Sequence, residues 1–156
     1  MPIYNVHPTA DPRVSAPDLL QHFGLLLTAE VAVSDALAEV LVAQNQAIPP
    51  SVPGPALVDT GASICAVDES AALKLGLQPI GQSNVSGVGG TRVHNVYMAK
   101  VTFPGTPIPP QQWTLTGADL KDQNLLLLIG RDILRACVLI YNGPGGTCSL
   151  RLSNGS

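Results

Sequence analysis

Apolar residues fall along this chain in short runs, each closed by proline, glycine or a small polar cluster. The first 17 residues carry Pro2, Pro8, Pro12 and Pro17 with little periodicity, which predicts an extended arm, because proline removes a backbone donor and disrupts helix interiors. Residues 23–33 are apolar with β-branched content and predict a strand. Ser34-Asp35 then offers a helix N-cap. Leu37, Val40 and Leu41, at i, i+3 and i+4, predict a short helix with one apolar stripe that ends before Pro49-Pro50.

A proline-rich loop over 49–55 leads to the apolar strand Ala56-Leu57-Val58, which delivers Asp59 at its end. Asp68-Glu69 cap a predicted helix over 70–75, and Gly76-Leu77 supply its stop. Residues 84–103 read as two strands joined by Gly87-Val88-Gly89-Gly90, a hairpin tip with almost no side chains. After a second proline-rich loop, strands are predicted at 112–115 and 125–129. Gly130 then breaks into a short helix over 131–136, and a last hairpin pairs 137–141 with 147–152. No internal repeat interrupts this order. The pattern predicts a mainly β fold with two or three short helices, arranged as an arm over 1–17 and one domain over 18–156.

Composition narrows the function. With 156 residues and 46% hydrophobic content the chain can bury one ordinary core. Only 12% of residues are charged and the net charge is -3, so no basic stripe is available for nucleic acid or an anionic membrane surface. No apolar run approaches the roughly 20 residues of a membrane helix, and the first residues lack a charged start followed by an apolar stretch, so a soluble, cytoplasmic protein is expected. Cys65, Cys137 and Cys148 are odd in number and lie in or beside apolar runs, which predicts reduced, partly buried thiols.

The candidate chemistry lies in Asp59-Thr60-Gly61. A bare Asp before a small turn is often a plain turn residue bonded to local N–H groups. Here it follows an apolar strand in Leu57-Val58-Asp59-Thr60-Gly61-Ala62-Ser63, and this segment resembles the retropepsin-like aspartic peptidases. The tip Gly87, Val88, Gly89 and Gly90 is similar to the flap of that family. Leu127-Leu128-Ile129-Gly130-Arg131-Asp132-Ile133-Leu134 is similar to its hydrophobic-hydrophobic-glycine strand and following helix. The resemblance spans residues 57–134.

It implies a closed β-barrel or sandwich protomer, with Asp59 as the catalytic carboxylate, Thr60 bracing two catalytic loops, and Gly61, with Ala62 and Ser63, forming the active-site loop. Gly87 to Gly90 would cover substrate, while Ile129, Gly130 and Arg131 would support the site. Viral members usually carry an acid where Ser63 stands, paired with the arginine at the Arg131 position, so the partner of Arg131 is open. Val88 and Ile129 are expected to line the cleft.

Hydrolysis by this chemistry needs two carboxylates sharing a proton, one as acid and one as base. The chain has no second Asp-Thr-Gly or Asp-Ser-Gly, so a twofold homodimer with one Asp59 from each subunit is expected. By resemblance, the terminal segment 147–153 would pair across the axis, with the N-terminal arm joining it. No metal or organic cofactor is expected; the partners are a second copy and a peptide or protein substrate.

Other chemistries fit less well. His7, His22 and His94 are scattered, and no cysteine pair has zinc spacing. Gly61-Ala62-Ser63-Ile64-Cys65 is not a serine-hydrolase elbow, and Gly87-Val88-Gly89-Gly90-Thr91-Arg92 lacks the last glycine of a dinucleotide loop. A cysteine nucleophile at Cys65 has no basic activator nearby in sequence. The rival from another class is a peptide-binding or dimerisation module of the same fold, in which a peptide adds as a strand uncut.

Overall fold

The computed structural model describes residues 4–6, 12–106 and 108–153. In chain order its elements are β1 (Tyr4–Val6), α1 (Ala16–Phe23), β2 (Leu26–Val33), α2 (Asp35–Ala43), β3 (Val52–Val58), β4 (Ala66–Asp68) and α3 (Glu69–Lys74). They continue with β5 (Gly81–Gly87), β6 (Gly90–Thr102), β7 (Gln111–Ala118), a 3-10 turn (Lys121–Gln123), β8 (Leu127–Ile129), α4 (Arg131–Leu134), β9 (Cys137–Asn142) and β10 (Thr147–Leu152). The fold is mainly β. Among the described residues it has four α-helices, more than the two or three expected.

The additional helix is α1, which replaces the end of the predicted arm. Ser15 caps it by accepting the Asp18 N–H, and Pro17 sits in the first turn, where a missing donor is harmless. Phe23 closes this helix and is exposed, so β2 starts three residues later than the sequence pattern suggests. Most of the rest of the arm lies outside the described residues.

Seven strands form one sheet in the order β2-β3-β8-β4-β7-β6-β5, and β6 additionally pairs with β2. Along β2, alternate residues Leu27, Ala29, Val31 and Val33 are buried, the period-two signature of a strand with one face in a core. They pack with Tyr97, Val101, Leu115, Leu127 and Ile129. Each such valine, leucine or isoleucine side chain contributes about 1.5–3 kcal/mol on full burial.

β3 begins at Val52, inside the segment expected to be a loop, although it contains Pro53 and Pro55. The Val58 N–H donates to the Leu25 carbonyl, so the N–H groups of Ala56, Gly54 and Val52 also face β2. The two proline nitrogens therefore point to the other side, where no donor to β2 is required. β4 was not anticipated; three residues are too few for a periodicity to show. β7 runs longer than the predicted 112–115, and β8 starts at Leu127 rather than 125.

α2 is capped by Ser34 as expected, but its predicted stripe is rotated: Leu37 and Ala38 touch the core while Val40 is 49% exposed. Lys100 pairs with Asp35 and holds the helix start to β6. α3 ends as expected, with Leu77 N–H on the Ala72 carbonyl and Gly76 N–H on Leu73, the paired bonds of a Schellman stop.

A second sheet has the order β1-β10-β9. β10 is its middle strand, pairing with β9 along its length and with β1 at Cys148 to Leu150. Within the chain the N-terminal arm does join this segment, but β1 covers only Cys148 to Leu150 on that edge of β10.

Candidate active site

Two parallel strands carry the site at their C-terminal ends. β3 and β8 pair in parallel register, Ala56 with Leu127, Leu57 with Leu128 and Val58 with Ile129. Asp59 leaves β3 beside Gly130 leaving β8, and its N–H donates to the Ile129 carbonyl at 3.0 Å. The half-buried Asp59 side chain accepts the Gly61 N–H at Oδ1, 2.8 Å away, and the Ala62 N–H returns to the Asp59 carbonyl at 3.2 Å. A Cβ on Gly61 would lie 3.0 Å from that same Oδ1, so glycine lets the turn close on the carboxylate.

The loop is tied down along its length. Arg131 and Asp132 donate their N–H groups to the Ala62 and Ser63 carbonyls at 2.9 and 3.2 Å. The Arg131 guanidinium donates through Nη1 to the Thr60 carbonyl at 3.1 Å. Within the chain, that carbonyl is the partner of the Arg131 guanidinium, and Ser63 carries no charge to pair with it. Asp132 accepts the Cys65 N–H and the Cys65 thiol, each at 3.0 Å, one on each oxygen. Gly130 permits this approach: a Cβ there would sit 2.6 Å from the Ile64 carbonyl carbon and oxygen.

Cys65 is 1% exposed, and burial, followed by its bond to Asp132, pushes its thiol far above the usual range. Buried and bonded to Asp132, the thiol is closed off from any substrate, which argues against the cysteine alternative. Cys137 and Cys148 are also free, and burial raises both.

A sequence model for the family described as aspartyl protease matches residues 40–133, more than half of the chain. The chain belongs to the aspartyl protease family. No curated protein matches the chain significantly. Among solved structures, it is similar to the protease of Simian Foamy Virus (mac) at 15% identity, covering 70% of this chain and 91% of that one, with a TM-score of 0.44. It is similar to the retroviral protease-like domain of Ddi1 from Leishmania major at 18% identity, covering 83% and 89%, with a TM-score of 0.42. It is also similar to the EIAV protease complexed with the inhibitor HBY-793 at 22% identity, covering 53% and 75%, with a TM-score of 0.40.

In this aspartyl protease, a cleft of about 200 Å³ opens beside the Asp59 loop, between Gly61, Ala62, Ser63 and Ile64 on one side and Val85 and Ser86 of β5 on the other. Its far wall is Ala66, Thr116, Ala118, Leu128 and His94. The structure thus brings Gly61, Ala62 and Ser63 to a cleft. It does not bring Ile129 there: Ile129 is 1% exposed in the core, and its neighbour Leu128 reaches the wall instead, because strand residues alternate faces. Nor does Val88 line it; the side chain stands free at the hairpin tip.

That tip joins β5 to β6 with Gly87 opposite Gly90, as the sequence pattern suggested, and Ser86 and Thr91 hydroxyls bond across it at 2.8 Å. His94, Thr116 and Asp132 were missed as site residues. Nothing local marks them; they reach the site only through β6–β7 pairing and the packing of α4 on the loop.

Proposed function

We propose that the chain is an aspartic endopeptidase that hydrolyses peptide bonds by activating water between two Asp59 carboxylates, one from each subunit of a homodimer. The observation that carries this reading is the Asp59 turn, with the carboxylate fixed at a strand end by the Gly61 N–H and the loop clamped by Arg131 and Asp132. Such pre-positioning is what acid-base catalysis needs, since a misplaced base loses rate steeply.

In this mechanism the shared proton sits on one carboxylate of the pair. The other takes a proton from water as the water oxygen attacks the scissile carbonyl, and the protonated partner donates to the carbonyl oxygen. Two adjacent like charges cannot both ionise, so activity requires one proton on the pair and follows a bell-shaped pH profile on the acid side of neutral. Thr60, exposed beside the carboxylate, braces the two loops across the axis. Gly87 to Gly90 form a flap over a peptide laid along the cleft. The ladder that returns from β6 to β2 supports reading each protomer as a closed barrel. Three free thiols favour a reducing compartment such as the cytoplasm.

The test is cleavage of a diverse peptide library from about pH 4 to pH 7 by wild type and Asp59→Ala. Cuts confined to the wild type are expected. A folded dimer that binds peptides and cuts none moves the function to a binding module, and a sedimenting monomer with full activity removes the shared pair.

A further inference from the structure

The cleft beside Asp59 has a chemical character that the peptidase reading does not by itself assign. Along β6 and β7 the side chains alternate. Val96 stands opposite Thr116, and Arg92 stands opposite Val85, so Arg92, His94, Val96, Thr116 and Ala118 share one face of the sheet. That face is the cleft wall, where Val85, His94, Thr116 and Ala118 all appear. Val93, Asn95, Gly117 and Asp119 line a neighbouring pocket with Glu69, and His94 and Ala118 stand between the two, lining both.

His94 is therefore the one titratable side chain among the residues that line the cleft, and it is held in place. Its Nδ1–H donates to the Gly117 carbonyl at 2.8 Å; a carbonyl only accepts, so the hydrogen is on Nδ1 and Nε2 is left for a ligand. The Thr116 hydroxyl has no partner among the described residues and Thr116 is 6% exposed. The rest of the lining is apolar or small: Ile64, Ala66, Val85 and Leu128. An apolar substrate side chain filling this space would leave both polar groups unpaired, which lowers affinity.

We propose that His94 is a specificity-determining residue that selects peptides with a glutamate or aspartate side chain in the subsite it walls. This rests on the peptidase reading, which places catalysis on the acid side of neutral. With Nδ1 held by the Gly117 carbonyl, the protonated form of the ring would present an Nε2–H to a carboxylate in a charge-assisted bond. Charges face His94 from two sides. Arg92, two residues along the same face, adds a cation, and no carboxylate is among the residues lining the cleft; Glu69 and Asp119 face His94 instead from a neighbouring pocket whose lining it shares. The Thr116 hydroxyl supplies a second donor, and the apolar walls take the methylenes of the side chain.

The experiment uses one good substrate resynthesised with Glu, Gln or Leu at each position flanking the cut, assayed at about pH 5. At one position the wild type is expected to cleave the Glu peptide about tenfold better in kcat/KM than the Leu peptide. His94→Phe is expected to abolish or reverse that preference, and His94→Gln to equalise Glu and Gln. No acidic preference in the wild type, or the same preference in both variants, overturns the assignment while Asp59-dependent cleavage stands. Failure of the peptidase reading is read separately, as cleavage that is absent or persists in Asp59→Ala. In that event the Kd values of the same peptides for the Asp59→Asn protein decide: a Glu preference lost on adding His94→Phe upholds the site, and equal Kd values overturn it.

Discussion

The Asp59 loop and the 87–90 hairpin tip are both turns rich in glycine, yet glycine serves opposite ends in them. Around the loop, Gly130 is there because something else needs the space: a Cβ would enter the Ile64 backbone. At the tip, a Cβ on Gly87 or Gly89 would meet nothing within 4 Å. One glycine lets two segments lock together. The others leave a segment unpacked, held among the described residues by the Ser86–Thr91 bond and the β5–β6 ladder. On the proposed reading the site would have a rigid floor for chemistry and a compliant cover for substrate, because reacting groups must be placed within fractions of an ångström whereas a cover must open.

The comparison can be broken most directly at Gly130. Gly130→Ala is expected to destabilise the fold by about 3 kcal/mol and to abolish cleavage, since the intruding methyl meets backbone that cannot move aside. Urea unfolding and peptide turnover check it; a variant with wild-type values would show that the loop is not locked. Next comes the clamp. Asp132→Ala leaves the Cys65 N–H without its acceptor and is expected to lose about 1–3 kcal/mol, while Asp132→Asn, which keeps acceptor oxygen, loses less. kcat should fall more than KM rises, because the loop rather than the substrate contacts is displaced.

A smaller effect is expected in alkali. Burial and the neighbouring carboxylate raise the Cys65 thiol, burial raises Cys137 and Cys148 above their ordinary 9.0, and burial with the Glu69 bond raises the Tyr97 phenol above 10.0. The folded state therefore holds these protons more tightly than the unfolded chain. Their contribution is fully present at neutral pH and declines as pH rises past about 9, where the unfolded thiols ionise. The urea midpoint should fall between pH 8 and pH 10.5, less steeply in Cys65→Ala. A midpoint that rises over this interval contradicts the burial of these groups. The smallest effect sharpens the contrast: Gly89→Ala is expected to change stability by under about 0.5 kcal/mol, as an exposed site with open space around it should, while altering turnover a few-fold if the tip covers substrate as proposed.

Much of the architecture could be read from local chemistry. The Ser34 cap, the Schellman stop after α3, both glycine turns and the strand that presents Asp59 each depend on neighbours within a few residues, so the amino acids announce them. α1 was equally local, and its Ser15 cap with Asp18 three residues on is visible in hindsight; Pro17 concealed it, because proline is unfavourable in a helix interior yet compatible with its first turn. The prolines of β3 misled for a related reason. Whether a missing N–H matters depends on which edge the nitrogen faces, and that is decided by the partner strand.

By itself the sequence determined the catalytic candidate, the two glycine turns and, through the single Asp-Thr-Gly, the need for a second copy if the chemistry is peptidolysis. Tertiary structure alone decided that Arg131 grips the Thr60 carbonyl, that Asp132 holds Cys65, that Leu128 and not Ile129 faces the cleft, and that His94 stands at its wall. Those outcomes depend on parallel pairing between strands some 70 residues apart and on the face each side chain takes in the pleat. A one-residue change of register would reverse every one of those faces while leaving the local patterns untouched.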